Sequence, residues 1–319
     1  ITIDPTKPED LAVLDRLVED ADVFIQNFRP GVAQRLYVDA ARLQAINPRL
    51  VYASISGFGS EGPDRDRPAF DTVAQAASGF LKLLVNPEHP RVVGPAIADA
   101  MTGFYTALGI LAALNERHTT GKGRVVETSM FEAMCHFNLD DFTHLLSAGE
   151  VMGPYARPHV SQSYVFRCED GKWLALHMSS PPKFWENLAS AVERPDMLSL
   201  PAFATREARI AHYEDVVGFL APIFATRPRA EWCERLTRLE VPNSPVHDSA
   251  EVLATEQARV LGLEVSDPDG PHGPFRTIRF PVSFDGARMD SVTAPPVLGA
   301  DDVAVRRSIE RPVHGIRRV

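Results

Sequence analysis

Residues 22–31 read Asp22-Val23-Phe24-Ile25-Gln26-Asn27-Phe28-Arg29-Pro30-Gly31. The apolar run Val23-Phe24-Ile25 is too short for a helix and too apolar for a loop. It ends in a turn that carries Pro30 and Gly31, which predicts a buried strand followed by a sharp exit. Upstream, Pro8–Glu19 places Leu11, Leu14, Leu17 and Val18 at helical spacing. Ile1–Asp4 is strand-like. Downstream come two short helices, the second opening near Asp39 as N-cap, and then a second β-rich run, Leu50–Ile55. Short apolar strands alternating with helices predict an α/β fold with a Rossmann-like parallel sheet.

Farther along, Gly57–Pro68 is a loop rich in Gly, Pro and charge, and Phe70–Leu84 reads as a helix. A long apolar helix is expected from Ile97 to about His118. It contains Asp99, Gly103 and Gly109, which favours a buried helix over a membrane span. Arg124–Glu127 is a short strand, and Ser129 opens a helix reaching about Ala148. Beyond Gly149 the character changes. Ser163–Cys168 and Lys172–Met178 form a hairpin around Glu169-Asp170-Gly171, helical patterns fill 181–238, and Val241–Val246 is an extended, Pro-punctuated loop. The expected organisation is a large domain over 1–155, a smaller α+β domain over 160–260, and a return to the large domain over 265–319. The opening residues lack an initiator methionine, so the chain is read as beginning within the fold.

The composition narrows the function. A net charge of −9 disfavours nucleic acid and anionic membranes as partners. The three cysteines stand apart from any Cys-x-x-Cys pair, which points to reduced thiols in a cytoplasm. The ten histidines are scattered, and no metal site is expected.

Three places could carry chemistry. Gly57-Phe58-Gly59-Ser60-Glu61-Gly62 matches Gly-x-Gly-x-x-Gly after a strand, but Pro63 and a charged run follow where a dinucleotide fold needs a helix. A flexible glycine loop is the preferred reading. Asn27–Gly31 leaves the carboxyl end of a strand, where such sheets bind ligands. Arg29 and Arg35 there serve either a phosphate or only the solvent side of a turn. Glu132 lies three residues after Ser129, and spacing alone favours a capping box in which Glu132 reaches back to the Ser129 backbone amide. The alternative is an ionised nucleophile at a helix N-terminus. His136 lies one turn from Glu132 and is read as a structural histidine rather than a partner for it. Cys135 is read as a packing residue.

The run Ala21–Gly31 resembles the signature of the family III CoA-transferases, the group of formyl-CoA transferase and carnitine CoA-transferase. Four further stretches resemble the family in order: Asn47–Gly59, Phe70–Ala76, Gly121–Arg124 through Ser129–Ala133, and Val241–Val246. The resemblance implies coenzyme A or acyl-CoA as substrate and a carboxylic acid as acceptor. It implies Glu132 as the catalytic carboxylate, working through acyl-glutamyl anhydrides, and no metal. By the same resemblance Ile3, Thr6, Asn27, Phe28, Arg29, Arg35, Phe70 and Asp71 fall on coenzyme-binding positions, and two copies interlock as a homodimer. Family members usually carry Asp where this chain has Glu132, and a lysine that often binds CoA is replaced by Pro68. The glycine-rich active-site loop of formyl-CoA transferase has no counterpart near Arg157–Tyr164, and the family's first strand is absent. The related racemases use a histidine where this chain has Phe70, which disfavours two-base racemisation. A racemase, epimerase or lyase of the same family, and a non-catalytic CoA-binding protein, are the alternatives.

Overall fold

The run at 23–26 is a strand, and the sheet built on it is parallel, as its alternation with helices predicts. The computed structural model describes residues 1–179 and 181–310. Its chain divides into two units, Ile1–Gly153 with the chain from Pro296 onward, and Pro154–Pro295.

In the first unit, α1 (Pro8–Asp20), β1 (Val23–Gln26), α2 (Val32–Arg35), α3 (Ala40–Ile46) and β2 (Val51–Ser56) follow in order. Next come α4 (Asp71–Ala77), α5 (Ile97–Thr120), β3 (Val125–Ser129), α6 (Met130–Phe137) and α7 (Leu139–Ala148). The sheet order is β1-β2-β3, with Val23 opposite Val51 and Tyr52 opposite Val125. The middle strand β2 is covered on both faces, so it reads as a continuous apolar run. Leu50 and Tyr52 join Val18, Val38 and Leu43 on one side. There Tyr52 stacks on Phe24 at 5.5 Å and its hydroxyl donates to Val38 O at 2.9 Å. Val51 and Ala53 meet Ile110 and Ala113 of α5 on the other. Asp39 caps α3 as expected, accepting from Arg42 N at 3.1 Å.

Several local readings change. Ile1–Asp4 is not a strand; Thr2 N–H and hydroxyl donate to Asp302, and the Arg306 guanidinium donates to Thr2 O. Both partners lie on the final helix, Asp302–Glu310, some 300 residues away, where no local pattern could announce them. The helix expected over Phe70–Leu84 stops at Ala77, because Gly79 takes φ +82° and a short 3-10 turn follows. The helix expected from Ser129 to Ala148 is two helices broken at Asn138. Among the described residues α5 is the one helix long and apolar enough to cross a membrane. It buries only one face, through Ala98, Thr102, Thr106, Ile110 and Ala113. Gly109 lets that face approach the sheet, since a Cβ there would stand 2.8 Å from Val126 Cγ1.

The second unit contains α8 (Ala156–Ser161), β4 (Ser163–Arg167), β5 (Trp173–His177), α9 (Pro182–Ala191), α10 (Arg206–Ala211), α11 (Tyr213–Phe224) and α12 (Arg229–Arg238). The predicted hairpin is present, turning at Gly171 with φ +76°. The stretch read as a Pro-punctuated loop supplies a third strand, β6 (Asn243–Pro245), paired to β5 at its edge, where a proline is tolerated. Tyr164, Phe166, Leu174 and Leu176 pack from this sheet against Trp185, Leu220, Phe224 and Trp232. The chain rejoins the first unit at Pro296 and not near residue 265. The reason is local pairing: Glu264–Asp267 and Phe275–Ile278 form their own antiparallel ladder, and Ala294 N donates to the Asp267 carboxylate at 2.8 Å.

A charge cluster holds α12 to α13 (Ser249–Ala254). Glu251 accepts from Arg229 Nη2 and from Lys172 Nζ, each at 2.7 Å, and the Arg229 and Lys172 hydrogen bonds hold its carboxyl down at about 2. A depressed carboxyl stabilises the fold above its unfolded value and loses that contribution as pH falls through the folded one. We therefore expect Glu251 to drive part of the acid unfolding between pH about 4.5 and about 2. Glu251→Gln should flatten the thermal-stability profile across that window, measured by calorimetric melts, and an unchanged profile would refute the assignment.

Candidate active site

The three parallel strands end at Gln26, Ser56 and Ser129, and the loops leaving them enclose a cavity of about 610 Å³. Gln26 shapes its first wall. The buried side chain donates through Nε2 to Ser54 Oγ at 2.7 Å and accepts from Phe28 N through Oε1, also at 2.7 Å. One amide thus ties the Asn27–Gly31 turn to the neighbouring strand, and Phe28 and Arg29 line the cavity.

The glycine loop forms the second wall. A Cβ on Gly57 would lie 2.3 Å from Ala69 Cβ, so only glycine lets the two ends of the loop meet. Its carbonyl accepts from Phe131 N at 3.0 Å, which fastens the loop to the first turn of α6. No helix opens until Asp71, so the strand–turn–helix arrangement of a dinucleotide fingerprint is missing.

Glu132 completes the cavity rim. Half of the predicted capping box is present: Glu132 N donates to Ser129 Oγ at 3.1 Å. The other half differs. The Glu132 carboxylate accepts from the Ser129 hydroxyl at 2.6 Å, not from the Ser129 backbone amide. Ser129 is buried, so this hydroxyl is fixed as acceptor from the helix and donor to the carboxylate. Glu132 and His136 do not pair; the Tyr105 hydroxyl meets His136 Nδ1 at 2.7 Å. Burial, and then the Glu132 charge, push the Cys135 thiol up, in keeping with a packing role.

A second cavity of about 570 Å³ shares Phe28, Arg29, Ser56 and Arg65 with the first and adds Asn27, Arg67, Phe70 and Asp99. Arg67 lies over the Phe58 ring at 5.0 Å. Among the described residues Arg29 and Arg35 make no ion pair. Arg29, Arg65 and Arg67 together offer forked donors to a polyanion. Burial, followed by the Asp71 charge, raises the Asp99 carboxyl. Sequence reading missed Arg65, Arg67 and Asp99 as wall residues. The available signals were basic side chains in a loop read only as flexible, and one acid inside an apolar run.

Of the residues singled out, Glu132, Phe28 and Arg29 meet at the first cavity, and Asn27, Phe28, Arg29 and Phe70 at the second. Ile3, Thr6, Arg35 and Asp71 line neither. Thr6 donates to Asp4 Oδ1 through N–H and hydroxyl. Asp71 is engaged as a cap, accepting from Ala98 N at 2.8 Å, Asp99 N at 3.2 Å and Gln75 Nε2 at 2.6 Å. Among the described residues no group of three His, Cys, Asp or Glu could hold a metal ion.

The sequence model of CoA-transferase family III matches residues 1–302. The chain is 32% identical over 260 residues to the beta subunit of succinyl-CoA–L-malate CoA-transferase from Chloroflexus aurantiacus, across 79% of this chain and 63% of that subunit. The chain thus spans less than two thirds of this relative's length. It is 29% identical over 327 aligned positions to formyl-CoA:oxalate CoA-transferase from Streptomyces avermitilis, across 96% of this chain and 78% of that one. A crystal structure of a CAIB/BAIF family protein from Brucella suis superposes with a TM-score of 0.85 at 28% identity, covering 97% of this chain and 81% of its own.

Proposed function

The chain belongs to CoA-transferase family III, and from that premise we propose that it moves coenzyme A from an acyl-CoA thioester to a carboxylic acid, with Glu132 as the nucleophile. The observation that carries this reading is the Glu132 carboxylate itself, on the rim of the strand-end cavity and oriented by one hydroxyl. Glu132 attacks the thioester carbonyl, the C–S bond breaks, and CoA thiolate leaves with the electron pair. The product is an acyl-glutamyl anhydride. Thiolate then attacks the glutamyl carbonyl and releases the donor carboxylate, leaving a glutamyl-CoA thioester. An acceptor carboxylate attacks that carbonyl and expels thiolate again. Thiolate finally takes the acceptor acyl group, and Glu132 is restored. Each step exchanges one acyl bond for another, so no proton or oxidant is required.

The same reading has Asn27, Phe28, Arg29 and Phe70 hold the coenzyme, with Ile3, Thr6, Arg35 and Asp71 around it, and places the enzyme in the cytoplasm. It also makes the large unit Rossmann-like and interlocks two copies as a homodimer. Phe104, Leu108 and Leu111 support the dimer: they leave an apolar stripe along α5 exposed to about two thirds, at 64%, 65% and 64%, the kind of patch that a partner covers.

The test is intact mass spectrometry after incubation with acetyl-, formyl- and succinyl-CoA, with hydroxylamine trapping and peptide mapping. An adduct on Glu132 is expected. Exchange of the donor's α-deuteron without any acceptor acid, and no adduct, would replace the nucleophile by a base. Ser129→Ala should lower stability by about 1 kcal/mol through the lost cap and lower kcat about tenfold through a freed carboxylate. A thermal melt and steady-state kinetics separate the two effects, and an unchanged kcat would show that Ser129 only caps.

A further inference from the structure

We propose that the second unit carries a small-molecule site of its own, for an apolar carboxylic acid whose carboxylate pairs with His177. The antiparallel register places Ser163 opposite His177 and Val165 opposite Ala175. These four are not in the buried core, whereas the alternate residues Tyr164, Phe166, Leu174 and Leu176 are. They form the floor of a cavity of about 660 Å³ walled by Tyr155 and Tyr213, a size suited to a small organic ligand. None of the residues lining it is Asp, Glu, Lys or Arg. Among the described residues lining the cavity, His177 is the one that can carry a positive charge.

A chain of hydroxyl contacts holds the His177 ring. The Ser161 hydroxyl is within hydrogen-bond reach of Arg157 O at 2.9 Å. The same hydroxyl lies 2.8 Å from Ser163 Oγ. Ser163 Oγ in turn meets His177 Nδ1 at 2.9 Å, so Nδ1 is engaged by the neighbouring strand. The Tyr213 hydroxyl donates to Ser163 O at 2.5 Å and steadies the chain at that point. Among the described residues Nε2 of His177 has no hydrogen-bond partner, which leaves it for a ligand. When a carboxylate binds, the ring takes up one proton from solvent and donates it through Nε2–H to the carboxylate, a charge-assisted imidazolium–carboxylate hydrogen bond. An alcohol of the same shape gains only a neutral hydrogen bond. The aromatic and aliphatic walls take the apolar body of the ligand.

This site does not depend on the role given to Glu132, and calorimetric titration of the full chain with benzoate and benzyl alcohol tests it. Benzoate should bind once per chain and at least about tenfold more tightly than the alcohol. His177→Gln should weaken benzoate about tenfold, Ala175→Trp should fill the cavity and abolish binding, and Arg29→Ala and Glu132→Gln should leave benzoate binding as it was. Binding lost in Arg29→Ala but retained in Ala175→Trp would place the acid among the arginines of the first unit and overturn the proposal. Equal affinity for the alcohol, or no benzoate binding, would overturn it too. If Ala175→Trp does not fold, proton NMR of the His177 ring decides: benzoate must shift that resonance, and an unmoved resonance refutes the site.

Discussion

Glu132→Gln should bind coenzyme A as the parent chain does and lose transfer by at least about a thousandfold, as removal of a nucleophile does elsewhere. The substitution is nearly isosteric. Ser129 can still donate to the side-chain oxygen that it now holds at 2.6 Å, and Glu132 N can still donate to Ser129 Oγ. The rim of the cavity therefore keeps its shape, while the anionic oxygen that must attack the thioester is gone. Calorimetry with coenzyme A and kinetics with the donor found by trapping give the two readouts. Weakened binding with intact kcat would make Glu132 a coenzyme-binding residue. Glu132→Asp sharpens the test. One methylene shorter, its carboxylate falls short of the Ser129 hydroxyl, and a misplacement of that order costs about a hundredfold in rate. If the aspartate variant is as fast as the parent, the serine contact does not position the nucleophile.

What could be read in advance divides along physical lines. The strands at 23–26 and 51–56 and the hairpin at 163–177 were legible because short-range hydrophobic pattern and turn chemistry specify them. Asp39 as a cap is equally local. The contacts that escaped are nonlocal or are made by backbone. Thr2 held by Asp302 spans 300 residues, and β6 is a strand only because β5 stands beside it. Asp71, read as a coenzyme contact, spends its carboxylate on the first turn of α5, which begins 26 residues later. For the site, Ser129 and Glu132 were paired correctly from their spacing, yet spacing could not show that the hydroxyl rather than the backbone amide would hold the carboxylate. Side-chain rotation is decided by what fills the cavity, and that lies outside any local window.

Gly123→Ala should be the most damaging single-atom change in the first unit, and Gly121→Ala a mild one, although both glycines lie in the same Thr-Gly-Lys-Gly turn. At Gly121 the demand is conformational. Its φ of +70° closes α5, and a Cβ would meet nothing nearer than the Arg49 guanidinium at 3.9 Å. The cost is that of a left-handed residue, about 1 kcal/mol. Gly123 is constrained by space. A Cβ there would stand 1.9 Å from Leu50 O and 2.4 Å from Leu50 C, backbone atoms that cannot swing aside as a side chain would. Gly123 N also donates to Pro48 O at 2.9 Å, so the two segments cannot separate without losing that bond. Any relief must move β3 away from β2. That shift would disturb the ladder in which Ser129 faces Ser56 at the head of the cavity. Overpacking of a core typically costs about 1–3 kcal/mol, and a backbone clash this close belongs at or above the upper end. The expected result is a fall in melting temperature several-fold larger for Gly123→Ala than for Gly121→Ala, with weakened coenzyme binding in the former alone. Equal melting temperatures in the two variants would mean that β3 can slide along β2 at little cost, and the rigidity assumed for the Glu132 rim would fail with it.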